Sequence, residues 1–422
     1  MNTNDIHITL PASKSLSNRW LVLNYMSGKR FQLRNLSDSD DTKLMRQLLE
    51  QLERNQLKRK QGTLGDSESV YYCANAGTVA RFLMSLLCTE PGVHVLTGSD
   101  RLKQRPMAHL IDSLVSMGFT VNCLEAQGCL PVRIVGGTPR RKMAIIDPTQ
   151  SSQFVSSLLL LGCVLPDGIT VSMTGRPASR PYIEMTCDVL RQVGVEVTRS
   201  SNGRLYQVAN KSANPKVRAV AMESDWSSAS YFYSVALMTP GVRFRLKGLS
   251  LKSAQGDAVV ADIFAKLGVV SHEVRSPYRT GSPSVTISAT GTFEKTLKYN
   301  FIDCPDLLPA VAVACAYLGV NAHLLGVKNL RAKESDRLKA LQNELNKMGG
   351  KVTITENELR IKPACLHSVE SVDTYDDHRI AMAFAPLLLP FPEIKINNPA
   401  IVSKSFPDFW KQLNLCQKCV QK

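Results

Sequence analysis

The sequence predicts an α/β protein of two domains, and three observations carry that expectation. The first is length: 422 residues exceed the size at which a single core usually divides. The second is a repeat. An amphipathic run ending in glycine and followed by a strand recurs at Ile111–Met117 with Gly118, Met185–Val193 with Gly194, Ala261–Leu267 with Gly268, and Leu338–Met348 with Gly349. Such a glycine is the expected C-terminal cap, free to adopt the left-handed conformation. The third is a second helix type, polar at its start and apolar all round, which marks a buried helix.

In chain order, a short apolar strand, Ile6–Leu10, is stopped by Pro11, and Lys14-Ser15 opens the apolar run Trp20–Met26. Leu44–Leu57 reads as a copy of the amphipathic helix whose end is replaced by a basic segment within Gln56–Val70. The later buried helices are predicted over Phe82–Leu87, Val155–Val164, Ala229–Met238, Leu307–Leu318 and Ile380–Leu389. Short strands are expected at Val93–Thr97, Val132–Val135, Ile169–Met173, Val285–Ile287 and Leu359–Ile361. The chain thus divides into six rounds of about seventy residues, most economically three per domain. If the three buried helices of each domain run side by side, their polar N-termini emerge on one face. Such termini carry partial positive charge and suit anions.

Composition narrows the partners. Hydrophobic residues make up 44% and charged residues 21%, as in ordinary globular proteins. The balance of 51 basic to 36 acidic residues gives a net charge of +15, which favours anionic partners. The N-terminal stretch Met1–His7 lacks the apolar core of a signal peptide, and the longest apolar stretch, Leu307–Val320, is too short to span a bilayer. Eleven scattered cysteines fit a reducing cytoplasm. Cys416 and Cys419 form the only close pair and have no histidine partner at zinc spacing, so neither metal nor cofactor is expected.

The helix starts and the loops beside them offer a one-sided set of groups. The bases are Lys14, Arg19, Arg101, Arg105, Lys333, Arg337, Arg379 and Lys404. The neutral hydrogen-bonding residues are Ser15, Asn75, Thr78, Ser151, Ser152, Gln153, Ser179 and Asn329, and two acids, Asp306 and Glu334, recur among the bases. Each cluster alone reads as an ordinary capped helix with solvated charges; their recurrence at corresponding points of one frame points to a site. It would hold phosphates and carboxylates on paired donors and use a carboxyl group for proton transfer. Gly77 would let backbone approach a ligand closely.

At these residues the chain resembles the 5-enolpyruvylshikimate-3-phosphate synthase family of enolpyruvyl transferases along nearly its whole length. The resemblance rests on Pro11–Arg19, Asp38–Asp41, Asn75–Arg81, Arg101–Pro106, Ser151–Phe154, Ser179–Ile183, Asp225–Tyr231, Gln255–Asp257, Pro305-Asp306, Asn329–Arg337, Tyr375–Arg379 and Lys404–Phe409. It implies a two-domain fold, each domain three βαβαββ units with three buried parallel helices (an inside-out α/β barrel), closing on substrates by a hinge. Residues 13–222 would form the N-terminal, shikimate-phosphate lobe. Residues 1–12 and 223–422 would form the phosphoenolpyruvate and proton-transfer lobe, with the active site in the cleft between.

The resemblance also implies the reaction, in which the 5-hydroxyl of shikimate 3-phosphate adds to phosphoenolpyruvate and a tetrahedral intermediate loses phosphate. Lys14, Ser15, Arg19, Ser151, Ser152, Gln153, Ser179, Asp306, Asn329 and Lys333 would hold shikimate 3-phosphate. Lys14, Gly77, Arg105, Gln153, Arg337, Arg379 and Lys404 would hold phosphoenolpyruvate. Asp306 would take the hydroxyl proton, Glu334 would protonate the methylene carbon, and Lys14 and Lys404 would assist. Protonating that carbon needs an acid still protonated near neutrality, so burial is expected to raise the pKa of Glu334. The implied protein is a cytoplasmic monomer acting on small anionic substrates, with no nucleic-acid or membrane partner.

Several positions depart from the family pattern. Ala12 and Ala74 stand where glycines are usual, Gln104 replaces an acid, Phe82 a proline, Ser224 a glycine, and Trp226 a small residue. Two rivals fit less well. The sister enzyme acting on a UDP-sugar uses a loop cysteine, and the loop at Arg105-Pro106 has none. A nucleic-acid-binding protein would interleave aromatic residues with its bases, and only 6% of residues are aromatic.

Overall fold

Four times along the chain the same hydrogen-bonding pattern recurs. Two strands pair in parallel, and a hairpin then adds two antiparallel strands. The parallel strands are consecutive in sequence and joined through a buried helix in three of the sheets; in the fourth, residues 9–242 separate them. The computed structural model describes residues 5–63, 67–209, 217–274 and 283–420, with side chains to residue 418. One such sheet runs Ser69–Tyr72, Val93–Thr97, Val132–Val135, Thr120–Cys123, and a second runs Met143–Ile146, Ile169–Met173, Leu205–Ala209, Glu196–Arg199. The other two run Asp5–Ile8, Arg243–Lys247, Ser284–Ala289, Val269–Val274 and Thr296–Asn300, Asn321–Leu325, Glu358–Lys362, Lys351–Ile354.

The remaining two rounds are reduced. Gln32–Arg34 pairs in parallel with Ala219–Ala221, and Ser371–Val372 with Lys395–Ile396. Among the described residues there are therefore four complete βαβαββ sheets and two parallel strand pairs, and the sheets close into no barrel. The two-domain α/β fold expected from the sequence is thus present, with two of its six units reduced to parallel strand pairs. Strands of two or three residues offer too few positions for a hairpin partner.

The chain divides into two compact units. Unit 1 comprises Met1–Lys14, Ser37–Asp40 and Glu223–Lys422; unit 2 comprises Ser15–Leu36 and Asp41–Met222. In unit 2 the helices Gly77–Leu87 and Ser152–Leu161 pack on each other, and in unit 1 Leu308–Leu318 packs on Trp226–Met238 and His378–Phe384. Every residue of Trp226–Met238 is buried, as its all-round apolar composition requires. Trp226 fits there because its indole N–H donates to Glu223 at 3.2 Å. Pro309 occupies the first turn of Leu308–Leu318, where its missing N–H costs nothing.

The amphipathic helices cover the sheets from outside and end where glycine is needed: Gly118, Gly194, Gly268 and Gly349 all take positive φ, between 84° and 100°. The helix Asp40–Lys60 also stops at a glycine: Gly62 takes φ 73° and the Thr63 N–H returns to Lys58 O at 2.9 Å, so the basic segment does not remove the cap. There Arg59 is structural, donating to Ser67 O at 3.0 Å and to Ser69 Oγ at 3.2 Å. Among the described residues no helix is long and apolar enough to cross a membrane.

Candidate active site

In unit 2 the polar helix starts are tied to one another. Ser151 caps the helix Ser152–Leu161 by accepting from the Gln153 N–H at 3.2 Å. The Gln153 amide is then fixed from both ends: it donates to Thr78 Oγ1 at 2.8 Å and accepts from Arg81 at 2.5 Å. Arg81 also stacks over Phe154, 5.2 Å from the ring centre. Gly77, first residue of its helix, has the Arg105 guanidinium so close that an added Cβ would lie 2.7 Å from it. The close approach expected of Gly77 is thus made by Arg105, which is itself buried.

Arg19 is 1% exposed and binds four acceptors within unit 2. It donates to Thr186 Oγ1 at 2.7 Å, the carbonyls of Ser15 and Tyr182 at 2.9 Å each, and Ser156 Oγ at 3.2 Å. Burial pulls its pKa down to about 10, so it remains a cation at neutral pH. Expected as an anion ligand, Arg19 is also a clamp joining three helices, and any ligand must share it with these acceptors. Ser179 precedes the helix Arg180–Gln192 with φ 57° and makes no capping bond to it. A left-handed serine costs free energy, and such residues gather at ligand sites.

Unit 1 is built differently. Its centre is Arg337, 1% exposed, at the first position of the helix Arg337–Lys347. Its guanidinium donates to Asp377 Oδ2 at 2.8 Å, Asp306 Oδ1 at 3.0 Å and Glu334 Oε2 at 2.8 Å. Arg379 donates to the other oxygen of Asp306 at 2.7 Å and to the Tyr231 hydroxyl at 3.4 Å. Lys404 lies 3.4 Å from Glu334 Oε1. Asp377 caps its own helix through the Arg379 N–H at 2.9 Å, which explains an acid at that start.

These contacts set protonation. Burial works to raise the Asp306 pKa, but Arg379, Lys333 and Arg337 outweigh it and hold the carboxyl well below the usual carboxylate range. Burial likewise works to lower the Arg337 pKa, and the three carboxylates around it hold it above its ordinary value. Glu334 receives Arg337 on one carboxyl oxygen at 2.8 Å and faces Lys404 with the other at 3.4 Å. His378 is fully buried, and neither ring nitrogen has a hydrogen-bond partner. Burial, with Lys14, Arg379 and Lys404 nearby, depresses its pKa well below 6.5 and keeps it neutral.

The structure therefore brings Lys14, Asp306, Lys333, Glu334, Arg337, Arg379 and Lys404 together around Asp377 and His378, with Asn329 on the adjoining turn Lys328–Ala332. Within unit 2 it joins Gly77 to Arg105, Gln153 to Thr78 and Arg81, and Ser15 to Arg19. From sequence, Asp377-His378 reads as a helix cap with a surface histidine; Asp377 does cap its helix, but His378 is buried. Arg81 and Asp257 are assigned no chemistry from sequence, although both lie in stretches that carry the resemblance.

The sequence model of the EPSP synthase (3-phosphoshikimate 1-carboxyvinyltransferase) family matches residues 4–413. The 3-phosphoshikimate 1-carboxyvinyltransferase of Bacteroides fragilis is 34% identical over 416 residues, covering 96% of this chain and 94% of the relative. That of Methanospirillum hungatei is 34% identical over 415 residues, with 96% and 94% covered. Among solved structures, EPSP synthase from Acinetobacter baumannii aligns with a TM-score of 0.72 at 22% identity, covering 97% of this chain and 95% of that one. The enolpyruvyl transferase NikO from Streptomyces tendae aligns with a TM-score of 0.72 at 16% identity, with 98% and 95% covered. By sequence and by fold, this chain belongs to the EPSP synthase family.

Proposed function

We propose that the chain transfers the enolpyruvyl group of phosphoenolpyruvate to the 5-hydroxyl of shikimate 3-phosphate. Shikimate-phosphate binding is weighted to unit 2, and phosphoenolpyruvate binding and proton transfer are weighted to unit 1. The observation that supports this division is Asp306, an ionised carboxylate braced by Arg337 and Arg379, with Glu334 on the same Arg337.

Shikimate 3-phosphate is held by Ser15, Arg19, Ser151, Ser152, Gln153 and Ser179, with Lys14, Asp306, Asn329 and Lys333. Phosphoenolpyruvate is held by Lys14, Gly77, Arg105, Gln153, Arg337, Arg379 and Lys404. Its phosphate and carboxylate compete with Asp306 for Arg337 and Arg379. As those cations turn to the substrate, Asp306 loses the charges that keep its pKa low and becomes a stronger base. Asp306 then takes the 5-hydroxyl proton as the oxygen bonds to the enol carbon, and Glu334 adds a proton to the methylene carbon. Phosphate leaves by C–O cleavage, taking up the proton held by Asp306 and stabilised by the fixed bases, while the methyl carbon returns a proton to Glu334. Lys404, beside Glu334, and Lys14 steady the charge through both steps.

The same reading takes the protein as a cytoplasmic monomer with only these anions as partners. A phosphate-release assay tests the reaction: release should require both substrates together. Release from phosphoenolpyruvate alone, or none with both, contradicts the proposal.

A further inference from the structure

One buried acid of unit 1 has no part in the reaction just described. Asp257 is 2% exposed and lies in the 3-10 turn Gly256–Val259. Its position is fixed from both sides. Gln255, next but one, donates to Glu223 at 2.9 Å and to Ser224 O at 2.8 Å, and the Ser227 hydroxyl donates to Asp257 Oδ2. Ser227 and Tyr231 are four residues apart on one helix and so share a face. From that face Tyr231 accepts from Arg379, whose other nitrogen holds Asp306. The arrangement sets two carboxyls, Asp257 and Asp306, on either side of one arginine-tyrosine contact.

We propose that Asp257 is a positioning residue, a second carboxyl behind Asp306 whose negative charge keeps Asp306 basic once Arg337 and Arg379 turn to the substrate. This rests on the reading of Asp306 as the base that takes the 5-hydroxyl proton. Before the transfer both carboxylates are charged and repel each other. After it Asp306 is neutral and the repulsion is gone, so the second charge favours the transfer itself. Burial, and then the charge of Asp306, push Asp257 up to about 7, against the bond from Ser227 and the charge of Arg379. The other titratable groups facing it are Asp225 at the cap of the Trp226–Met238 helix and the Cys304 thiol, which burial pushes far up. Asp262 lies on the helix that follows. Arg337, Lys333 and Glu334 face Asp306 from the other side. Below neutrality Asp257 gains a proton, the repulsion is lost, and Asp306 becomes a weaker base.

The test is the pH profile of kcat for phosphate release, with both substrates saturating, for the full chain and Asp257→Asn. The natural chain should show an inflection near neutrality. The variant should lose that inflection, run about tenfold slower at pH 8, and converge on the natural chain below pH 6, where both lack the charge. Parallel profiles with a constant ratio would mean a purely structural role and overturn the inference. If Asp257→Asn does not fold, Ser227→Ala decides: losing the donor to the carboxylate should move the inflection to higher pH, and an unmoved inflection overturns the inference. No phosphate release by the natural chain would overturn the reading of Asp306 as well.

Discussion

Units 1 and 2 use the same βαβαββ plan and the same polar helix starts, yet they fill those starts with different chemistry. In unit 2 the starts carry hydroxyls and an amide, and Arg19 and Arg81 brace those neutral groups. In unit 1 the starts carry a charge network in which Arg337 alone meets Asp306, Glu334 and Asp377. Neutral donors bind an anion without exchanging a proton with it. Carboxylates poised by movable cations change basicity when the cations move. One architecture can thus present a half built on neutral donors and a half built on charged, proton-exchanging groups.

The largest expected effects test that division. Asp306→Ala should cut turnover by about 10³-fold or more, and Glu334→Gln by about 10²-fold or more, within the range of general acid–base groups. Calorimetry should still detect shikimate 3-phosphate binding in both. Near-normal turnover in either variant breaks the assignment for that residue. A smaller effect of opposite character is expected in unit 2. In Gly77→Ala the new methyl meets the Arg105 guanidinium, which must swing away, so KM for phosphoenolpyruvate should rise about tenfold, roughly 1.4 kcal/mol of binding. Because the change leaves unit 1 untouched, kcat should change little; a large fall in kcat would erase the contrast.

Stability offers two finer tests. His378 is neutral and buried with its folded pKa below 6.5, so the unfolded chain binds a proton that the folded chain refuses as pH drops below 6.5. Stability is then lost on acidification, by at most about 1.4 kcal/mol per pH unit. Urea titrations at pH 7 and pH 5 should show a shallower loss for His378→Asn; an equal loss would mean the histidine is not the cause. The smallest effect is a gain. Ala74 has φ 46°, a conformation glycine reaches without strain, so Ala74→Gly should stabilise unit 2 by about 1 kcal/mol. A lower melting temperature for that variant would contradict this.

The buried helices are legible because their bodies are apolar all round, and Gly118 and Gly194 are legible as caps because each closes an amphipathic run just before a strand. Ala74 is legible as a departure from the family pattern, but its cost depends on the φ that the fold imposes. The two shortened rounds escaped notice, since a pair such as Ser371–Val372 and Lys395–Ile396 is too brief to show alternation. The double duty of Arg19 was hidden because its partners Ser156, Tyr182 and Thr186 lie 137 to 167 residues away. The two bases that meet Glu334 differ in the same way. Arg337 is three residues on and readable as a helix neighbour; Lys404 arrives from a distant turn.

The assignment of proton chemistry to unit 1 is tested most directly by hydrogen exchange at the reacting carbon. The chain is incubated with both substrates in heavy water, and recovered phosphoenolpyruvate is examined for deuterium on its methylene group. Exchange should accompany turnover in the natural chain and fall by at least about 10²-fold in Glu334→Gln. Exchange at the natural rate in that variant would show that another group delivers the proton.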